Sequence, residues 1–264
     1  KNKINKKFKC HYFLSGPAVN IFKIKKLITN TYKFNFFWDK KIKKLYYALN
    51  FEKKIENYVL EKAFKKKIYS TLCLDGWCNY KKRMHFKKKG KIFFPNKINV
   101  FDKAAYKICL SLDFQRKSNL KLNKNLNLNK KYKKLKKKLK GKIKNKILYL
   151  ASPEKKLNSK NFKFLKDFAK NKGMHLEIRQ HPRQHNMQNE KKSYNQPTII
   201  NAIASSEYVI GHCSTALVYS ALLGVKTASI QKKPYKDLFE WKEFSIYKTF
   251  NISNLNSFKD LKRI

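Results

Sequence analysis

Three short polar clusters carry the residue types that could do chemistry. His181-Pro182-Arg183, with His185 close behind, offers an imidazole able to donate to, or protonate, a phosphate oxygen. Its neighbouring guanidinium could hold the same group. Gly211-His212-Cys213-Ser214-Thr215 sets two hydroxyls, with a second imidazole nearby, at the head of an apolar run. Asp75-Gly76 supplies a carboxylate that could serve as a general base. Trp77, Asn79 and Tyr80 behind it could form a stacking and hydrogen-bonding wall for a sugar.

Each cluster also has a plainer reading. A Ser or Thr before an apolar helix caps it by accepting from a free backbone N–H. A lone histidine is more often structural than catalytic, and Asp-Gly is a common turn. What favours chemistry is where the clusters fall. In open α/β sheets, ligands sit beyond the carboxyl ends of the strands, and all three clusters directly follow segments that read as strands.

Those segments belong to a regular alternation. Lys146–Ala151, His175–Arg179, Glu207–Ile210 and Lys226–Ile230 read as strands. Helical apolar spacing covers 161–170, 197–205 and Thr215–Leu223, closed by Gly173 and Gly224 in the first and last cases. This rhythm predicts a parallel sheet with helices on both faces. An earlier unit starts with a strand at Cys10–Leu14, a turn at Ser15-Gly16-Pro17 and a helix from Val19 to Ile28. An aromatic strand at 33–38 follows. Apolar spacing over 40–66 predicts helix broken near Asn50, and Lys67–Leu74 reads as a buried strand. Residues 117–146 are a Lys/Asn/Leu tract without an acid, expected as a solvated linker, with a basic amphipathic helix as the other option. The expected organisation is therefore a lobe over 1–116, a linker over 117–146 and a second lobe over 147–264.

Composition narrows the partners. The chain has 264 residues, 42% of them hydrophobic, with 20 Phe and 15 Tyr, enough for real cores and against disorder throughout. Lys and Arg number 64 against 16 acids, a net charge of +48. Such charge suits a polyanionic partner. Yet only Arg83, Arg116, Arg179, Arg183 and Arg263 are arginines, and Asn, Ile, Phe and Tyr abound as they do under A/T-rich codon usage. Specific base readout leans on the forked guanidinium, so no specific nucleic acid is expected. Five scattered cysteines (Cys10, Cys73, Cys78, Cys109, Cys213) make no C-x-x-C and no zinc spacing, which fits free thiols in a reducing compartment and predicts no metal site. No apolar run of about 18 residues predicts a membrane span. Residues 12–22 lack a signal-peptide pattern, and Lys1 in first place suits a fragment or a processed chain.

Taken in order, Leu74-Asp75-Gly76, His181-Pro182 and Ser214-Thr215 resemble the motifs of the bacterial sialyltransferase and polysialyltransferase families: an acidic pair with Gly, a His-Pro, and a Ser/Thr pair. The likeness spans roughly residues 70–230. It implies the GT-B arrangement of two Rossmann-like lobes with the donor between them. Asp75 would then deprotonate the acceptor hydroxyl, His181 would assist departure of the CMP phosphate, and Ser214 and Thr215, with Arg183, would bind that phosphate. One residue departs from the pattern, Leu74, which stands where the first acid belongs. The second-lobe motifs also resemble those of the glycerophosphate transferases of teichoic-acid synthesis, which use a CMP-releasing donor as well.

The resulting expectation is inverting, metal-independent transfer of sialic acid from a CMP-activated donor, used as co-substrate with no cofactor, to a glycan hydroxyl. The partners would be a nucleotide-sugar donor and a polyanionic glycan acceptor. The location would be cytoplasmic, in peripheral contact with an anionic membrane. Two other classes remain at this stage: a basic nucleic-acid or membrane-surface binding module on a vestigial transferase fold, and an inactive transferase.

Overall fold

Parallel strands organise both halves of the chain. The computed structural model describes residues 42–48, 54–74, 76–77, 80, 86–88, 91–114, 118–123, 132, 134–136, 145–152, 155–181, 198–212, 214–230 and 240–264. In the first half, β1 (Lys44–Ala48) leads to helix α1 (Lys54–Lys65) and β2 (Tyr69–Cys73). A small antiparallel hairpin follows, β3 (Phe86–Lys88) with β4 (Lys91–Phe93). Then come β5 (Lys97–Val100), α2 (Lys103–Ser111) and β6 (Asn119–Leu122). The four-stranded sheet runs β1-β2-β5-β6, every pairing parallel. Helix α1 packs Val59 and Ala63 with Leu45, and helix α2 packs Ala105, Ile108 and Cys109 with Leu72, Ile98 and Val100.

The second half is the more regular. It contains β7 (Lys146–Leu150), α3 (Lys155–Asn171), β8 (His175–Arg179), α4 (Ile199–Ala204), β9 (Tyr208–Gly211), α5 (Thr215–Leu223) and β10 (Lys226–Ile230). It closes with α6 (Ile246–Thr249), β11 (Ser253–Leu255) and a 3-10 turn over Phe258–Arg263. The five-stranded sheet runs β11-β10-β9-β7-β8, again all parallel. Strand residues alternate between two buried faces. Ile147, Tyr149 and Ile210 meet Leu165 and Phe168 of α3, while Leu148, Leu150 and Val209 meet Ile203 of α4 and Leu217 and Val218 of α5. The fold class is therefore α/β, with two parallel sheets flanked by helices, as the alternation predicts.

Helix α5 shows how tightly sequence sets these boundaries. Ser214 is its N-cap in an extended conformation, its side chain accepting from Ala216 N. Gly224 ends it at φ 75, a left-handed position where a side chain would be strained.

Two expectations are corrected. Residues 44–48 form strand β1, not helix. The Leu45 and Leu49 spacing suits a helix, but the two tyrosines favour an extended chain, and β2 offers a partner edge that local periodicity cannot register. The tract over 117–146 is not wholly a solvated linker. Its Asn119–Leu122 pairs with β5 as the edge strand of the first sheet, so the first unit extends past residue 116. Further on, Tyr132 is buried and stacks on Tyr219 of α5 at 5.4 Å, and Leu135 packs on the same core. Burial, with Tyr219 beside it, pushes the Tyr132 hydroxyl up to about 12. The tract's lysines are interrupted by a few apolar residues, and those residues drive the docking. The elements expected over 10–38 lie outside the described residues, as does the break near Asn50.

Candidate functional site

Because every strand pairing within each sheet is parallel, the carboxyl ends of the strands share one edge of each. In the second sheet the chain steps from β7 outward to β8, then returns to place β9 on β7's other side. A crevice forms at such a reversal, beyond the carboxyl ends of the two strands that flank it. Those strands are β7 and β9. The residues just past them are Ser152 and the run from His212 to Thr215.

Ser214 and Thr215 thus sit just past β9, beside the reversal of strand order where open α/β sheets bind ligands. Ser214 Oγ accepts from Ala216 N at 3.2 Å. A hydroxyl has one donor and two lone pairs, so the cap leaves its proton available to a ligand oxygen. Helix α5 has nine residues; at its amino end Ala216 N is taken by the cap and Leu217 N by Ser214 O, which leaves the Thr215 N–H and the positive end of the helix dipole for an anion. Capping and anion binding are compatible here.

His181 lies two residues past β8, partly exposed. The ladder between β7 and β8 continues to this end, with Ala151 N donating to Arg179 O at 2.9 Å. Since β8, β7 and β9 are adjacent and parallel, the chain stretches that carry His181 and Ser214 leave the same edge of the sheet, two strand positions apart. Pro182, Arg183, His185 and Cys213 lie outside the described residues.

His212 has a different role. It is buried, with Nδ1 3.0 Å from Ile230 O. A carbonyl only accepts, so Nδ1 carries the proton and Nε2 is left as an acceptor. Nε2 faces Asn161 Nδ2 at 3.3 Å and Tyr149 Oη at 3.4 Å. Tyr149 Oη in turn lies 3.3 Å from Asn158 Oδ1, and Asn158 brackets Ser152 by bonding its N and O at 2.9 Å each. Ser229 Oγ donates to His212 O. This network of a neutral histidine ties together the loops after β7, β9 and β10. The buried ring holds these chain stretches together.

The first sheet contributes Gly76. A Cβ built on it would lie 3.3 Å from Thr215 Cγ2. A side chain here would require Thr215 to give by a few tenths of an ångström. Asp75 itself lies outside the described residues, as does Asn79.

Trp77 and Tyr80, expected in a sugar-binding wall, are 1% and 2% exposed. Rings so enclosed have no face to stack on a ligand, and both act as anchors. Tyr80 Oη donates to Gly76 O at 2.8 Å, Trp77 Nε1 to Asp102 Oδ2 at 2.8 Å, and Trp241 Nε1 to Trp77 O at 2.7 Å. Trp77 packs against Phe101, Tyr219 and Phe250, so side chains from both halves of the chain enclose it. Leu74, in place of the resemblance's first acid, is 7% exposed within the same core.

Two residues here escaped the sequence reading. Asp102 caps α2 and takes the Trp77 N–H; its signal was an Asp ahead of the helical spacing Ala105, Ile108, Cys109. Burial raises its carboxyl above the ordinary range, opposed by hydrogen bonds from Ala105, Trp77 and Ala104. Trp241 had no local signal at all. Of the cysteines, burial pushes Cys109 up to about 12 and raises Cys73, so neither is a nucleophile near neutral pH. Among the described residues no group of three His, Cys, Asp or Glu is arranged to hold a metal, and no helix is long and apolar enough to cross a membrane. No protein-family model matches the chain, and no curated protein matches it.

Proposed function

We propose that the chain is a glycosyltransferase of the two-lobed GT-B type, moving sialic acid from a CMP-activated donor to a glycan hydroxyl, with inversion and without a metal. The observation that carries this reading is the approach of Gly76 to Thr215. It brings the residue next to a candidate base against the amino end of a helix suited to phosphate, beside the topological switch of the second sheet.

In this mechanism Asp75 takes the proton of the acceptor hydroxyl as its oxygen attacks the anomeric carbon. The bond from that carbon to the phosphate oxygen breaks, and CMP leaves with the electron pair. His181 donates to the departing phosphate, which is held by the Ser214 and Thr215 hydroxyls, the Thr215 N–H at the head of α5 and Arg183. A net charge of +48 raises the local concentration of an anionic donor and an anionic glycan, of the capsule or lipopolysaccharide kind. The chain would work in the cytoplasm, against the inner face of the membrane.

Leu74 favours a second reading. It is part of the core, where an ionised carboxylate would be costly to bury, so the family's first acid has no place here. The phosphate site then keeps its meaning while the transferred group is open, and glycerol phosphate from a CDP-linked donor is the alternative. Incubation with CMP-sialic acid and with CDP-glycerol, across glycan and polyol-phosphate acceptors, separates the two by which donor releases CMP. Release from neither rules out both.

A further inference from the structure

Three hydrogen bonds converge on the chain just past Asp75. Two of them, from Tyr80 to Gly76 O and from Trp241 to Trp77 O, grip the backbone. The third ties the Trp77 side chain to the next strand end, because Asp102 follows β5 as Gly76 follows β2, and β2 pairs with β5. Asp102 divides its carboxylate between two tasks. Oδ1 accepts from Ala105 N at 2.7 Å and caps α2, while Oδ2 accepts from Trp77 Nε1 at 2.8 Å.

A cap alone needs one short acceptor, and Ser or Asn would serve as well as Asp. A second oxygen is needed to reach the indole. A carboxylate here also bears a desolvation cost that a neutral cap would avoid. The second bond is thus the feature that distinguishes Asp102 from an ordinary cap. Trp77 then carries the restraint into the second half through Tyr219 of α5 and Phe250.

We propose that Asp102 is a positioning residue, holding the Gly76–Trp77 segment against the amino end of α5 through the Trp77 indole. What the segment serves rests on the transferase reading; how it is held does not.

The test is hydrogen exchange, read by mass spectrometry on the whole chain, for wild type, Asp102→Ser, Trp77→Phe and the double variant. Serine keeps the α2 cap but is too short to reach the indole. Peptides over 103–111 should therefore exchange at the wild-type rate, while peptides over 74–80 exchange about tenfold faster or more. Trp77→Phe should reproduce the local change, and the double variant should add little to the larger single effect, as expected for two partners in one interaction. Wild-type protection over 74–80 in Asp102→Ser overturns the proposal. So does an equal loss over 103–111, which would make Asp102 a cap and nothing more. In transfer assays Asp102→Ser should lower kcat while leaving CMP affinity unchanged. A wild-type protein that turns over no CMP-linked donor defeats the transferase reading, and the exchange data still decide how the segment is held.

Discussion

Gly76 and Thr215 approach so closely that one methyl group on Gly76 would lie 3.3 Å from Thr215 Cγ2. The two residues are far apart in sequence and follow strands of different sheets, so this contact joins two motifs that the sequence could only set in order. Gly76→Ala should push Thr215 by a few tenths of an ångström, and Gly76→Val considerably more. Misplacement approaching 1 Å costs about 100-fold in rate, so turnover should fall through Gly, Ala and Val in that order. Melting of the same variants should show only about 1 to 3 kcal/mol of destabilisation. Full turnover by Gly76→Val would remove the contact from the mechanism.

Ser214 has two duties that one substitution can separate. Aspartate caps a helix as well as serine does but sets a negative charge against an incoming phosphate. Ser214→Asp should melt within about 0.5 kcal/mol of wild type yet lose at least about tenfold in CMP affinity by calorimetry. Undiminished affinity would move the phosphate elsewhere.

The two histidines should separate in the opposite sense. His212→Ala strips partners from Ile230 O, Asn161 and Tyr149 in a buried network, at a cost of about 2 to 4 kcal/mol. His181→Ala, on a partly exposed loop, should cost about 1 kcal/mol or less while lowering transfer about 100-fold or more. Denaturant unfolding and initial rates on both variants check the assignment, which fails if the pattern is reversed.

Burial raises the Asp102 carboxyl in the folded chain. The folded state therefore holds that proton more tightly than the unfolded state, in which the group titrates near about 3.9. The contribution is most favourable below the unfolded value and is lost as pH rises through the higher folded value. Asp102→Asn cannot titrate. Wild type should thus gain stability relative to this variant as pH falls from 7 to about 4. Denaturant midpoints for both proteins across that range provide the check, and a wild type that loses ground on acidification contradicts it.

How much could be read from residues alone depended on whether the governing force was local. His175–Arg179, Thr215–Leu223 with Gly224, and Lys226–Ile230 form the elements their spacing predicts, since capping, a left-handed glycine and alternation act within a few residues. Lys44–Ala48 was misread because its conformation is set by β2, which is distant in sequence. Tyr132 looked like part of a solvated tract because nothing nearby marks its partner Tyr219. The strand-end positions of His181 and Ser214 were legible, whereas the burial of His212 was not. The burial of Trp77 and Tyr80 was not, because an aromatic beside a turn reads the same whether it faces a ligand or a core. Trp241, which holds Trp77 from 164 positions away, could be found only in three dimensions.

The decisive measurement is a crystal structure of the protein grown with CMP. The phosphate should lie within hydrogen-bonding distance of Ser214 Oγ and the Thr215 N–H at the head of α5, with His181 on its other side and Gly76 near Thr215. A nucleotide bound away from the β7–β9 crevice, or none at saturating CMP, would contradict the assignment of a CMP-activated donor to this site.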